Sequence, residues 1–299
     1  MKRALSTLIL TLLLFIPPLS TGLAAPFTDA PQDVNQNFAP GSIVQFEHLT
    51  SEDGLSQNAG LAIFQDSRGY LWIGSQDGLN RYDGYAFKIF KHDPDDASSL
   101  SNNSILSLAE DQDGALWIGT WGGGLNRYDP ATEKFTRYTT NPNDPASLSD
   151  VTITCIKVDS HGSVWVGTLN GLDRYNPETN GFDHFRNDPE NPNSLSSNVI
   201  SVIFEDSQGQ LWVGTGANGV DGSGLNLLDP STGNATRYQH DEENSETIAG
   251  NNIASIVEAP DGNLWIATGG FSLRGGGLDQ FNPRTGKIKH FKYDPEDEH

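Results

Sequence analysis

A ten-residue stretch, Asp111-Gln112-Asp113-Gly114-Ala115-Leu116-Trp117-Ile118-Gly119-Thr120, recurs along most of this chain and points to a fold assembled from one repeated unit. Copies occupy 66–75, 159–168 and 206–215, with a looser one at 259–268. Five of the six tryptophans belong to it: Trp72, Trp117, Trp165, Trp212 and Trp265, separated by 45, 48, 47 and 53 residues. A period of that length signals propeller blades or solenoid turns rather than one irregular core.

Local chemistry chooses between them. Asp at the first position and Gly at the fourth form a type I turn signature, the carboxylate capping nearby N–H groups. Strand-forming runs flank it, such as Val199-Ile200-Ser201-Val202-Ile203-Phe204 before one turn and Leu-Trp-(Ile/Val)-Gly-Thr after each. In the second unit, 104–111 and 116–120 read as two strands, a Gly-rich loop at 121–124 leads to a third at 125–129, and Pro130 ends it. A fourth strand at 134–138 is polar, carrying Lys134, Thr136 and Arg137, as suits an outer edge. Radially stacked sheets need inner strands that are apolar on both faces, so the expected fold is all-β. It is a β-propeller of four-stranded antiparallel blades, five of them at about 58–92, 103–139, 150–186, 198–239 and 251–293.

Within that frame the Trp column is the filling between blades, each buried ring removing up to about 250 Å² from water. Gly74, Gly119, Gly167 and Gly214 follow the Trp dipeptides, with Ala267 in the fifth unit, and mark close backbone approach or a bulge. Arg81, Arg127 and Arg174 on third strands give way to Leu227 and Gln280, which suggests outer-face ion pairing rather than ligand contact.

Residues 1–25 have the three parts of a signal peptide: a basic start at Lys2-Arg3, an apolar run over 8–16, and small residues ending in Ala24-Ala25. The run is short for a membrane span, so the chain is expected to be exported, to the periplasmic or extracellular side of the membrane. Residues 26–42, rich in Pro, Asn, Asp and Gln, read as an exposed lead-in, and 43–299 as the propeller. A formal charge of −21 makes nucleic acid and anionic membrane unsuitable partners. The single Cys155, in the apolar run 151–158, reads as a buried thiol and permits no internal disulfide.

Leu-Trp-Ile-Gly-Thr followed by Gly-Gly-Leu-Asn-Arg-Tyr-Asp-Pro resembles the repeat of the two-component regulator propellers, exported sensor regions of bacterial histidine kinases that are often hybrid. The resemblance covers about 43–298 and is weaker in the last unit, where Ala259-Pro260 departs from the Asp turn. It implies a seven-bladed ring, then an immunoglobulin-like sandwich, a membrane span and a cytoplasmic kinase. Residues 43–49 align with a fourth strand, an N-terminal closing strand for a last blade, and the fifth unit already has its own outer strand at 287–291. The chain is therefore expected to be cut short by two blades. The same resemblance implies a soluble segment of a membrane-anchored parent that works as a homodimer.

Propellers bind ligands mostly over the channel mouth, where loops joining second to third strands lie beside the inter-blade segments. Those loops supply the candidate contacts: Gln76 and Asp77, Trp121, Asn170, Asn218 and Asp221, and Phe271 with Arg274. Trp121, the one tryptophan outside the column, either stacks on a sugar or other flat ligand or covers the channel mouth. The inter-blade segments 92–103, 140–150, 187–198 and 241–252 carry many carboxylates, but their spacing matches no calcium loop and favours turns. The seven histidines show no paired metal spacing, and the Gly-rich loops lack the Lys and helix that phosphate binding needs. No catalytic residue, metal or cofactor is expected in this chain. Its expected role is ligand sensing, with a small molecule or oligosaccharide as ligand. The alternatives are a secreted propeller that binds or acts on carbohydrate and a periplasmic protein-interaction scaffold.

Overall fold

The structure, a computed structural model, describes residues 48–216, 220, 222–270 and 273–291. Twenty strands form five four-stranded antiparallel sheets, each a meander in chain order. Blade 1 contains β1 (Gly60–Gln65), β2 (Leu71–Ser75), β3 (Gly78–Tyr82) and β4 (Phe87–Phe90). Blade 2 contains β5 (Ile105–Glu110), β6 (Leu116–Thr120), β7 (Leu125–Asp129) and β8 (Lys134–Tyr138). Blade 3 runs through β9 (Ile153–Val158), β10 (Val164–Thr168), β11 (Gly171–Asn176) and β12 (Gly181–Phe185). Blade 4 has β13 (Ile200–Glu205), β14 (Leu211–Thr215), β15 (Leu225–Leu228) and β16 (Ala235–Tyr238). Blade 5 has β17 (Ile253–Glu258), β18 (Leu264–Gly270), β19 (Leu273–Phe281) and β20 (Ile288–Phe291). First strands of successive blades adjoin, β1 to β5 to β9 to β13 to β17, as radially stacked sheets demand. This is the all-β propeller architecture.

The Asp turn does more than reverse the chain. In blade 2, Asp111 Oδ1 accepts the N–H groups of Asp113 and Ala115, while Oδ2 accepts the indole N–H of Trp117 at 2.9 Å. Asp66, Asp159 and Asp206 hold Trp72, Trp165 and Trp212 at the same distance. A buried indole N–H without an acceptor would be costly, so Asp six residues before Trp is what lets the ring go inside.

Four core clusters sit at the four junctions between blades. Trp72 packs with Leu100, Ile105 and Leu116 of blade 2 and its approach; Trp117 with Leu148, Ile153 and Val164; Trp165 with Leu195 and Ile200; Trp212 with Ile248 and Ile253. The glycine after each Trp dipeptide is the socket for the next blade. A Cβ at Gly74 would meet Ile105 Cγ2 at 2.7 Å, at Gly119 Ile153 at 2.6 Å, at Gly167 Ile200 at 2.8 Å, and at Gly214 Ile253 at 2.7 Å.

Two expectations change. Of the strand placed at 43–49, residues 43–47 lie outside the described residues, and His48 and Leu49 are not in a strand. Thr50 instead caps a 3₁₀ turn, Ser51–Asp53, in a reciprocal box: its N–H donates to Asp53 Oδ2 at 2.8 Å and its hydroxyl accepts from Glu52 N–H. Trp265, placed with the four buried tryptophans, is only half-buried. Ala259 stands where the other blades have the Asp acceptor, and no following blade covers the ring among the described residues. Residues 1–25, read as a signal peptide, 26–42, read as a lead-in, and 292–299 lie outside the described residues. Among the described residues no helix is long and apolar enough to cross a membrane.

Candidate functional site

The loops joining second to third strands meet the inter-blade segments at one end of the blades, and the backbone bonds them there. Gly78 N–H donates to Asn103 O at 2.8 Å, Gly124 to Val151 O at 2.7 Å, Gly171 to Asn198 O at 2.7 Å and Gly224 to Asn251 O at 2.9 Å. Each loop is thus tied to the segment that enters the next blade.

Trp121 stands out from a loop whose backbone is fully engaged. Its N–H donates to Ser104 O, and Thr120 Oγ1 both donates to Gly124 O and accepts from Gly123 N–H. Gly124, at φ +83°, lies so close to Tyr138 O that no Cβ fits. With the backbone held, the indole is 46% exposed, against 1% for Trp117 in the adjacent strand. Gln76 is exposed, its N–H on Gln57 Oε1 at 3.0 Å, and Asp77 pairs with Lys91 at 2.7 Å. Asn170 is exposed and donates to Ser149 O at 3.2 Å. Gln76, Asp77, Trp121 and Asn170 therefore share one end of three successive blades, and among the described residues no bond joins one to another. Asn218, Asp221 and Phe271 lie outside the described residues, and Arg274 falls on β19 with its side chain outside them too. The inter-blade carboxylates at this end serve turns: Asp93 Oδ1 accepts Asp95 N–H, and Asp96 Oδ1 accepts the N–H and hydroxyl of Ser98. That Ser98 hydroxyl, with the Ser98 N–H, holds the Asp96 carboxyl below its ordinary value. No group of three His, Cys, Asp or Glu is placed to hold a metal among the described residues.

Beneath this end runs a polar row that the repeat pattern left unread. The third strand always places Asn or Asp after its Leu or before its Arg: Asn80, Asn126, Asp173, Asn226 and Asp279, all fully buried. Each accepts one N–H from the segment entering its own blade: Ser56, Ser101, Ser149, Ser196 and Ala249, at 2.7–2.9 Å. In blade 1 Asn80 faces Ile89, and in the other four blades the partner across on the fourth strand follows the acceptor. Asn126 and Asn226 face Arg137 and Arg237, whereas Asp173 and Asp279 face His184 and His290. Ser149, Asp173 and His184 are the residue types of a hydrolytic triad without its geometry. Ser149 Oγ donates to Asp173 at 2.5 Å, His184 Nδ1 also meets Asp173 at 2.7 Å, and Nε2 is bonded to Pro145 O at 2.8 Å. Ser149 Oγ also lies 3.0 Å from His184 Nδ1, but with that nitrogen donating to Asp173 and Nε2 to the Pro145 carbonyl neither is free to take the serine proton, so the cluster pins a loop. With acceptors at both nitrogens the imidazolium is favoured, and the Asp173 bond first of all raises the His184 pKa above 6.5. Cys155 packs against the core between blades 3 and 4, and burial pushes its thiol up to about 12, so it is unreactive.

A cavity of about 780 Å³ at the blades' opposite end opens between blades 2 and 3, and its lining contains none of the loop residues named above.

Comparison with known proteins gives these features a family. The two-component regulator propeller repeat matches five times, at 54–77, 99–122, 147–170, 194–217 and 247–270. Over 66 residues, 22% of this chain and 4% of the relative, the sequence is 44% identical to Histidine kinase P4 of Formosa agariphila. The fold matches the extracellular domain of the hybrid two component system BT3049 from B. thetaiotaomicron at 28% identity and a TM-score of 0.67, covering 81% of this chain and 31% of that one. Virginiamycin B lyase from Staphylococcus aureus shares the fold at 15% identity and a TM-score of 0.54, over 78% of this chain and 70% of that one. The chain spans a small part of the kinase and about a third of the extracellular domain it matches. With the repeat present five times on five successive blades, the chain belongs to the two-component regulator propeller family.

Proposed function

We propose that this chain is the extracytoplasmic ligand-sensing propeller of a two-component receptor. Its likeness in repeat and fold to the extracellular domain of a hybrid two-component system supports the reading. Residues 1–25 act as the export signal and 26–42 as the lead-in. The propeller from 43 onward works as part of a seven-bladed ring in a dimeric, membrane-anchored parent, and phosphotransfer is carried out elsewhere in that parent. The ligand is a small molecule, an oligosaccharide by preference, taken at the end of the blades where the second-to-third-strand loops meet the inter-blade segments.

The observation that carries the site is Trp121. Its indole is 46% exposed although the loop beneath it is bonded at both ends. A flat apolar surface presented to solvent from a bonded backbone is what stacking on a sugar face requires, and little backbone ordering opposes binding there. A glycan screen on the full chain by calorimetry should yield a ligand whose affinity falls at least about tenfold in Trp121→Ala, the scale of one lost stacking contact. Trp121→Ala and Arg274→Ala with unchanged affinity for that ligand would remove the site assignment. Turnover of the glycan, rather than binding alone, would put the carbohydrate-active alternative first.

A further inference from the structure

The four blade junctions are closed at the Asp-turn end by one recurring device, with one exception. Ser67, directly after Asp66, gives its N–H and its hydroxyl to the Glu110 carboxylate of the next blade, at 2.7 and 2.8 Å. Ser160 does so with Glu205 at 2.7 and 2.6 Å, and Ser207 with Glu258 at 2.6 and 2.7 Å. Between blades 2 and 3 both partners are absent, because Gln112 replaces the serine and Val158 the glutamate at the same register positions. The Gln112 N–H thus points out of a turn built like the other three and has no acceptor among the described residues.

A second tie is missing at the same junction. Arg81 sends Nη1 across to the Tyr128 hydroxyl and to Glu133, both at 3.4 Å, and Arg174 sends Nη1 across to Pro230 O at 3.3 Å. Arg127, paired with Trp117 as those two are with Trp72 and Trp165, spends Nε and Nη2 on its own blade's Asp111, and its Nη1 meets no partner among the described residues. The cavity of about 780 Å³ opens at this junction, lined by both Gln112 and Arg127.

We infer that this groove is a second binding site, for a small carboxylate that also carries hydroxyl or ammonium donors. The ligand carboxylate takes the place that Glu110, Glu205 and Glu258 fill at the other junctions, on the Gln112 N–H, with Arg127 Nη1 as a further donor. The donors are needed because four carboxylates line the groove, Asp111, Asp113, Glu178 and Asp183, against two arginines, Arg127 and Arg174. Asp111 and Asp183 are matched by the two arginines, at 3.1 and 2.8 Å, which leaves Asp113 and Glu178 to accept from the ligand. A bare carboxylate brings nothing for Asp113 and Glu178 to accept, whereas the hydroxyls of a uronic acid or the ammonium of an amino acid donate to them and offset the repulsion. The groove lies at the opposite end of the strands from Trp121 and does not depend on what binds there.

The test is calorimetry or NMR titration of the full chain with glucuronate, glutamate and acetate, on wild type and on Gln112→Ser/Val158→Glu. That double variant rebuilds the clamp and sets a protein carboxylate in the proposed position. Saturable binding of glucuronate, of glutamate or of both, with acetate at least about tenfold weaker, supports the site and names the source of the carboxylate. The variant should melt no lower than wild type and bind at least about tenfold more weakly. Binding of neither probe, or undiminished binding to a folded Gln112→Ser/Val158→Glu, overturns the inference. Arg127→Gln, expected to weaken binding while leaving the clamp position vacant, separates the two donors.

Discussion

Blades 2 and 4 and blades 3 and 5 solve one problem with two chemistries. Each must hold the segment that enters it against its third strand. In blades 2 and 4 a neutral Asn takes the N–H of that segment and gives its own amide to Ser101 or Ser196 Oγ, at 2.8 and 3.0 Å. Arg137 and Arg237 then collect the remaining carbonyls, Arg137 from Ser99 and Asp96 at 2.8 and 2.7 Å, Arg237 from Ser194 and Leu195 at 2.8 and 3.1 Å. In blades 3 and 5 the acceptor is a buried carboxylate, which offers no donor and needs a cation, and His184 or His290 bridges it to the carbonyl of Pro145 or Ser245. Across these four blades the pairing changes as a unit, and a buried carboxylate left opposite a residue with no donor would lack its partner. The arginine version is indifferent to pH near neutrality, whereas in blade 3 the Asp173 bond raises the His184 pKa above its ordinary value and makes that pin respond to pH.

The largest effect should come from removing the charged acceptor. Asp173→Ala leaves the Ser149 N–H, the Ser149 hydroxyl and His184 without their common acceptor, in a site where Asp173 is wholly buried. Deleting one partner of a buried ion pair costs about 3–5 kcal/mol. Asn126→Ala removes a neutral group with one N–H and one hydroxyl as partners, for about 1–3 kcal/mol. Urea midpoints of the two variants should differ in that order, and equal losses would show that the charge adds nothing to the pin.

Exchanging the chemistry whole is a sharper test. In Asp173→Asn/His184→Arg, blade 3 acquires the pair of blades 2 and 4, so the double variant should be more stable than the sum of its single changes by about 1–3 kcal/mol. Strict additivity in that cycle would mean that the matched pairs are coincidence. The same variant isolates the proton. The His184 pKa is raised above 6.5, chiefly by the Asp173 bond and helped by its charge and the Pro145 carbonyl, against burial and the Arg186 charge. A raised folded value means the contribution is full below about 6.5 and is lost as pH rises through the folded value. Melting temperature should therefore fall more steeply from pH 6.5 upward in wild type than in Asp173→Asn/His184→Arg. Parallel curves would deny His184 its role.

These pairs mark the boundary of what the sequence discloses. The blades were legible because Asp, Trp and Gly recur at one spacing, and each does one job that no other residue does: turn and indole acceptor, filling, and socket. The exposed state of Trp121 was legible too, since it stands outside that column among glycines. The alternating pair was not, because Asn126 and Arg137 are eleven residues apart, as are Asp173 and His184, and each alone passes for ordinary strand polarity. The groove between blades 2 and 3 escaped for the opposite reason. Gln112 and Val158 look like tolerated variation until the Ser–Glu bond that they replace is seen at the other junctions.

The smallest expected effect concerns the serine beside the charged pair. Ser149 Oγ donates to Asp173 and accepts from Arg186 at 2.9 Å, so it looks indispensable to blade 3. Blade 5 argues otherwise: Ala249 stands at that position, yet its N–H meets Asp279 at 2.7 Å and His290 keeps its bond to the same carboxylate at 2.6 Å. The backbone N–H and the histidine suffice to hold the carboxylate, and the hydroxyl adds one hydrogen bond to it besides the one it accepts from Arg186. Ser149→Ala should then cost about 0.5–1.5 kcal/mol and leave the steeper decline above pH 6.5 in place. Ser196→Ala should cost less still, because the Asn226 amide that loses the hydroxyl keeps Val213 O at 3.1 Å. If Ser149→Ala instead matched Asp173→Ala in urea and lost the pH dependence, the hydroxyl would be positioning the carboxylate for His184, and blade 5 would have to achieve that placement by another route.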